Sequence, residues 1–187
     1  MVPRSSDPYA SVGLSARSGI SHFKRVRHFD DPGHAHCLTF SCYHSEPLLV
    51  HNEIRTTFLA RLAEIRVTHA YRIWAYVLMP NHVHLLVRPP NEGMSVAEFL
   101  HALKGPVGYR AKRILTQHGQ YAPRFWQSGP GFDENVTDLD RAAELAEYIH
   151  RNPVRKGLVK STADWPWSSA RYWAGLEGCE LAMDAIR

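Results

Sequence analysis

The sequence predicts an α+β domain, one antiparallel sheet backed by helices. Three observations carry that expectation. Stretches of period-2 alternation recur along the chain, three- and four-residue helical spacing lies between them, and the order is strand, helix, strand, strand, helix, strand, helix. That order is the split βαβ pattern of a ferredoxin-like antiparallel sheet, here with one helix added at the C-terminal end. The central pair would be the first strand and the third.

The first strand is expected over Ala35 to Tyr43, where Cys37, Thr39 and Ser41 alternate with Leu38, Phe40 and Cys42. Asn52 opens a helical pattern through Ile54, Phe58, Leu59, Leu62 and Ile65. Tyr71 to Met79 is dense in aromatic and β-branched residues and reads as a buried strand. Pro80-Asn81 breaks it, and His82 to Arg88 alternates again, which predicts a hairpin. Ser95 followed by Glu98 is a capping box for a helix through Lys104. Gly105-Pro106 is expected to interrupt it, with Pro106 opening a second helical piece to about His118. A weak strand is expected within Phe125 to Val136, partly a loop because of Gly129-Pro130-Gly131. Thr137 or Asp138 caps a last helix that Pro153 should stop at Asn152.

The organisation expected from this is a basic N-terminal arm over 1–30, one domain over 31–173 and a C-terminal tail over 174–187. The arm is rich in Ser, Gly and Arg and carries Lys24, Arg25, Arg27 and His28. With 187 residues the chain can bury a core without staples, and its three cysteines show no C-x-x-C spacing. The longest apolar run, Ile73 to Met79, is too short for a bilayer, and no apolar run follows Arg4, so a cytoplasmic protein with no membrane partner is expected. A net charge of +4 is compatible with a polyanionic partner without requiring one. Twelve histidines direct attention to imidazole chemistry.

Two constellations carry chemistry. In Pro80-Asn81-His82-Val83-His84-Leu85-Leu86-Val87, strand geometry puts His82 and His84 on one face and Val83, Leu85 and Val87 on the other. Paired imidazoles suit a divalent metal, although the bare H-x-H spacing by itself fits two partly exposed sheet histidines better. His34-Ala-His36 has the same spacing and reads as ordinary surface histidines. In Glu147-Tyr148-Ile149-His150-Arg151-Asn152-Pro153-Val154, Tyr148 and Asn152 stack on one helix face. A tyrosine hydroxyl can act as a covalent nucleophile and an amide oxygen can complete a metal shell. The same two residues also suit a packing tyrosine and a helix-ending asparagine.

These stretches occur in order with Phe125-Trp126-Gln127 and Trp165-Pro166-Trp167-Ser168-Ser169. In that combination the chain resembles the REP-associated tyrosine transposases, single-tyrosine HUH transposases with an IS200-like domain, over roughly residues 30 to 172. The resemblance implies a ferredoxin-like domain that nicks and rejoins single-stranded hairpin DNA through a 5′-phosphotyrosine. It gives Tyr148 as nucleophile on the added helix, and His82, His84 and Asn152 as ligands of Mg²⁺ or Mn²⁺. Arg88, Lys104, Arg110, Lys112, Arg113, Arg151, Arg155 and Lys156 are candidate DNA-contacting residues around the two constellations. The protein would act as a monomer or homodimer. The stretch Gln127 to Asp133 departs from the family pattern in length and glycine content, as does the sharp Gly105-Pro106 break. Two rival functions remain at this point: a single-strand-binding module without activity, and a metal-dependent phosphohydrolase that uses water.

Overall fold

A computed structural model describes residues 33–129 and 131–187. The expected N-terminal arm and its basic cluster lie outside the described residues. Four strands form the sheet: β1 (Ala35–Ser41), β2 (Arg72–Leu78), β3 (His82–Arg88) and β4 (Phe132–Val136). The helices are α1 (Asn52–Thr68), α2 (Val96–Gln117), α3 (Leu139–Arg155) and the short α4 (Ala170–Trp173). The spatial order is β2-β3-β1-β4 with every pair antiparallel. This is the expected ferredoxin-like arrangement, with β1 and β3 at the centre.

Alternation along the strands separates two helix layers. Leu38, Phe40, Val83, Leu85 and Val87 face α1 and α2, which contribute Phe58, Leu62, Phe99 and Leu103 to that core. Cys37, Ala75, Val77 and Leu86 face α3, which supplies Ala142, Leu145, Ala146 and Ile149. His82 and His84 share the parity of Leu86, so they lie on the α3 side.

Two proline expectations are corrected. Helix α2 is continuous from Val96 to Gln117 with Pro106 inside it. Pro106 has no N–H for the Ala102 carbonyl, but Arg61 of α1 donates its Nε to that oxygen at 2.9 Å. The capping box at its start is present as expected, the Ser95 hydroxyl accepting from the Glu98 N–H while Glu98 accepts from the Ser95 N–H. Helix α3, capped by Asp138, likewise runs past Pro153 to Arg155. There the Asn152 side-chain nitrogen donates to the Tyr148 carbonyl at 2.9 Å and to the Ile149 carbonyl, deprived of its usual donor by Pro153, at 3.4 Å.

Strand ends also shift. β1 stops at Ser41, and Cys42 makes an isolated bridge to Trp126 before a 3₁₀ turn over Tyr43–Ser45. β4 occupies only the second half of the expected stretch. Gly131 sets its start: at φ +83° it lies so close to the Thr39 carbonyl oxygen that a Cβ would collide with it. His34-Ala-His36 is not a surface pair, for His36 is fully buried on β1 and shares a hydrogen at 2.9 Å between its Nδ1 and Asp133.

The outer edge of β2 is covered rather than left open. Trp167 and Ser169 bond to the backbone of Leu78 and Tyr76. Further along, the Asp184 carboxylate accepts from the Ile73 N–H at 2.9 Å and pairs with both Nε and Nη2 of Arg66. The last residues therefore pack onto the domain, with Leu181 and Met183 in its core.

Candidate active site

β3 delivers the two histidines and α3 delivers the tyrosine. The His82 and His84 rings meet edge to face, 4.8 Å between centroids, and the Tyr148 ring stands edge-on to His84 at 6.0 Å. Residues 64 positions apart in sequence thus meet because α3 packs across β2 and β3.

Each imidazole is held by its Nδ1. Asn81 Oδ1 lies 2.7 Å from His82 Nδ1, and the Asn81 amide nitrogen donates to the Ser45 carbonyl at 3.2 Å. A carbonyl oxygen can only accept, so His82 carries its hydrogen on Nδ1 and keeps the Nε2 lone pair. The Thr39 hydroxyl holds His84 Nδ1 at 2.7 Å, reaching across from β1, where Thr39 lies opposite His84. Outer partners of this kind fix ring orientation in metal sites.

Both histidines are held neutral. Burial, reinforced by the neighbouring His82, pushes His84 down to about 3. Burial and then the Lys156 charge lower His82. A neutral imidazole is the form a divalent cation binds, and both rings are held through Nδ1, which leaves Nε2 for the ion, so the residues present fit it.

Tyr148 is 42% exposed and lines a cleft of about 510 Å³ with Glu144, Glu147, Arg151 and Arg155. The Arg155 guanidinium carbon lies 5.2 Å from the centre of the Tyr148 ring. Asn152, one turn on, is 7% exposed. Its amide nitrogen is committed to backbone carbonyls, which leaves Oδ1 as the atom available to a ligand.

The eight basic residues named from sequence do not form one surface. Arg151, Arg155 and Lys156 gather around Tyr148 and His82, although Arg151 is also tied to Glu147 at 3.0 Å. Arg110, Lys112 and Arg113 lie on α2, across the sheet from the histidines, where Lys112 and Arg113 line a separate cleft with Tyr109 and Tyr121. Lys104, also on α2, sits 5.2 Å over the Phe40 ring and is lowered by burial. Arg88 is at the far end of β3, bonded to the Arg187 carbonyl and stacked near Trp74. Sequence reasoning missed Thr39, whose role depends on strand register. Asn81 stood in the quoted motif, and its place beside His82 was the available signal.

The chain matches the family described as transposase IS200 like over residues 32–152, and it belongs to that family. It is 27% identical over 99 residues to a Haemophilus influenzae protein assigned as a REP-associated tyrosine transposase, covering 51% of this chain and 56% of that one. It is 24% identical over 110 residues to the REP-associated tyrosine transposase of Escherichia coli K12, covering 58% and 59%. The matches thus span less than two thirds of either relative. A solved structure of a REP-associated tyrosine transposase bound to a REP hairpin superposes with a TM-score of 0.61 at 20% identity, covering 86% of this chain and 92% of that one, which shows the shared fold. Among the described residues no helix is long and apolar enough to cross a membrane.

Proposed function

We propose that this protein is a DNA transposase that nicks and rejoins single-stranded DNA at hairpins through a 5′-phosphotyrosine. The observation that carries the reading is the 6.0 Å approach of Tyr148 to His84 on the α3 face of the sheet. Relatives named as REP-associated tyrosine transposases, and the fold shared with one bound to a REP hairpin, support the choice of substrate.

In this reading the Tyr148 hydroxyl oxygen attacks a DNA phosphorus and gives up its proton. The new bond is phosphotyrosine, the bond that breaks is P–O3′, and the departing oxygen takes a proton to become a 3′-hydroxyl. Because the phosphodiester energy is conserved in the covalent link, another 3′-hydroxyl reverses the step and transfers the strand. His82, His84 and Asn152 would hold Mg²⁺ or Mn²⁺, which when bound polarises a non-bridging phosphate oxygen. Asn81 and Thr39 keep the imidazoles oriented for that duty. Arg155, stacked on the Tyr148 ring, supplies positive charge where the phosphate approaches. Arg151 and Lys156 extend that charge along the DNA backbone path.

The test is to incubate the full chain and a divalent ion with single-stranded hairpins drawn from sequence flanking its own gene. Nicking of hairpins in preference to blunt duplex, weakening as salt rises, supports the reading. Equal binding of random duplex at matched salt and no cleavage would overturn it.

A further inference from the structure

On the α1–α2 layer, away from the catalytic face, three side chains converge that the proposed reaction does not use. His51 caps the start of α1, Glu53 lies in its first turn, and His118 caps the end of α2. One ligand atom from each lies within 4.8 Å of the others. The His118 Nε2 and a Glu53 oxygen are 3.4 Å apart, and Gln120 Oε1 lies 2.8 Å from the His51 Nε2. The two imidazoles are stacked, 4.4 Å between centroids and 26° from parallel.

We propose that His51, Glu53 and His118, with the Gln120 amide oxygen as fourth donor, bind a transition-metal cation of the Zn²⁺ type that ties the start of α1 to the end of α2. Two imidazole nitrogens and a carboxylate suit Zn²⁺, Co²⁺ or Ni²⁺ rather than Mg²⁺, which prefers an all-oxygen octahedron. Around a tetrahedral ion at about 2 Å, neighbouring donor atoms stand roughly 3.3 Å apart. The His118–Glu53 separation of 3.4 Å is already close to that edge, while the 2.8 Å His51–Gln120 contact is a hydrogen bond whose proton the ion would replace. The stacked rings must turn for both lone pairs to meet one ion, and the solvent exposure of Glu53 and the His118 imidazole leaves room for that turn. The donors sit at the adjoining ends of two helices that pack against each other, so the ion would join the start of α1 to the end of α2 and stabilise the pair.

The test separates this site from the candidate catalytic histidines by using the full chain with His82→Ala and His84→Ala together. After chelation and dialysis, this variant is titrated with Co²⁺ and with Zn²⁺. A visible Co²⁺ absorption band typical of tetrahedral N/O ligation, one ion per chain, and a Zn²⁺-dependent rise in melting temperature are expected. Adding His118→Ala or Glu53→Gln should weaken binding by more than the roughly 10–100-fold that loss of an outer partner costs. No band and no thermal shift, or a band untouched by both substitutions, would overturn the proposal. Either result leaves the transposase reading unaffected, because no catalytic candidate contributes to the signal.

Discussion

The Thr39 hydroxyl and the His84 Nδ1 lie 2.7 Å apart across the β1–β3 pairing, so the strand next to the candidate catalytic strand sets the orientation of its second imidazole. Thr39→Val keeps the branched shape and removes that partner. Metal-dependent nicking should fall by about 10–100-fold with little change in melting temperature, and Thr39→Ser should restore most of it. Wild-type nicking by Thr39→Val over a range of metal concentrations would show that the contact is incidental.

His82→Ala with His84→Ala should abolish nicking while the chain still folds. Both side chains are on the α3 face, and their replacement leaves Val83, Leu85 and Val87 in the opposite core. Circular dichroism checks the fold and labelled hairpin DNA checks cleavage. Full nicking by the double variant in EDTA would remove the metal from the account.

Helix α2 supplies a prediction about stability. Arg61→Met strips the donor from the Ala102 carbonyl that Pro106 leaves unpaired, and should cost about 1–3 kcal/mol in urea unfolding. In a Pro106→Ala background the new N–H can serve Ala102, so the same substitution should cost markedly less. Equal losses in both backgrounds would mean that Arg61 acts only through its surface pair with Glu64.

His150 supplies a pH dependence. It is buried, with its Nε2 2.8 Å from the Ser169 hydroxyl, and burial pushes it from 6.5 to about 4. Between those values the unfolded chain binds more protons than the folded one, so stability rises with pH across that window. The contribution is complete above about 6.5 and is lost as pH falls towards 4. His82 and His84 shift the same way. Melting temperature should therefore drop on acidification, and His150→Gln should make the drop shallower. An unchanged slope would mean that His150 does not contribute.

Local chemistry made much of this legible before the structure. The Ser95–Glu98 box, the Asp138 cap and the alternation through His82 and His84 are short-range signals, and each appears where its residues predict. What was missed depends on partners far along the chain. Pro106 is tolerated because of Arg61, 45 positions earlier. His36 is buried because Asp133, 97 positions later, accepts its hydrogen. β4 starts at Phe132 because Gly131 lies against the Thr39 carbonyl. At the site, the sequence marked His82, His84, Tyr148 and Asn152, but only register and helix packing bring Thr39 to His84 and Arg155 onto the Tyr148 ring.

The most direct test of the central claim is a denaturing gel of labelled single-stranded hairpin DNA after incubation with wild-type chain or Tyr148→Phe and Mg²⁺ or Mn²⁺. The substitution removes one oxygen and keeps the ring that packs beside His84 and under Arg155. Wild type should give a slow-migrating protein–DNA adduct and a cut strand with a free 3′-hydroxyl, and Tyr148→Phe should give neither while remaining folded. Cutting by Tyr148→Phe at the wild-type rate, with no adduct from either protein, would show that water is the nucleophile and that the protein is a phosphohydrolase.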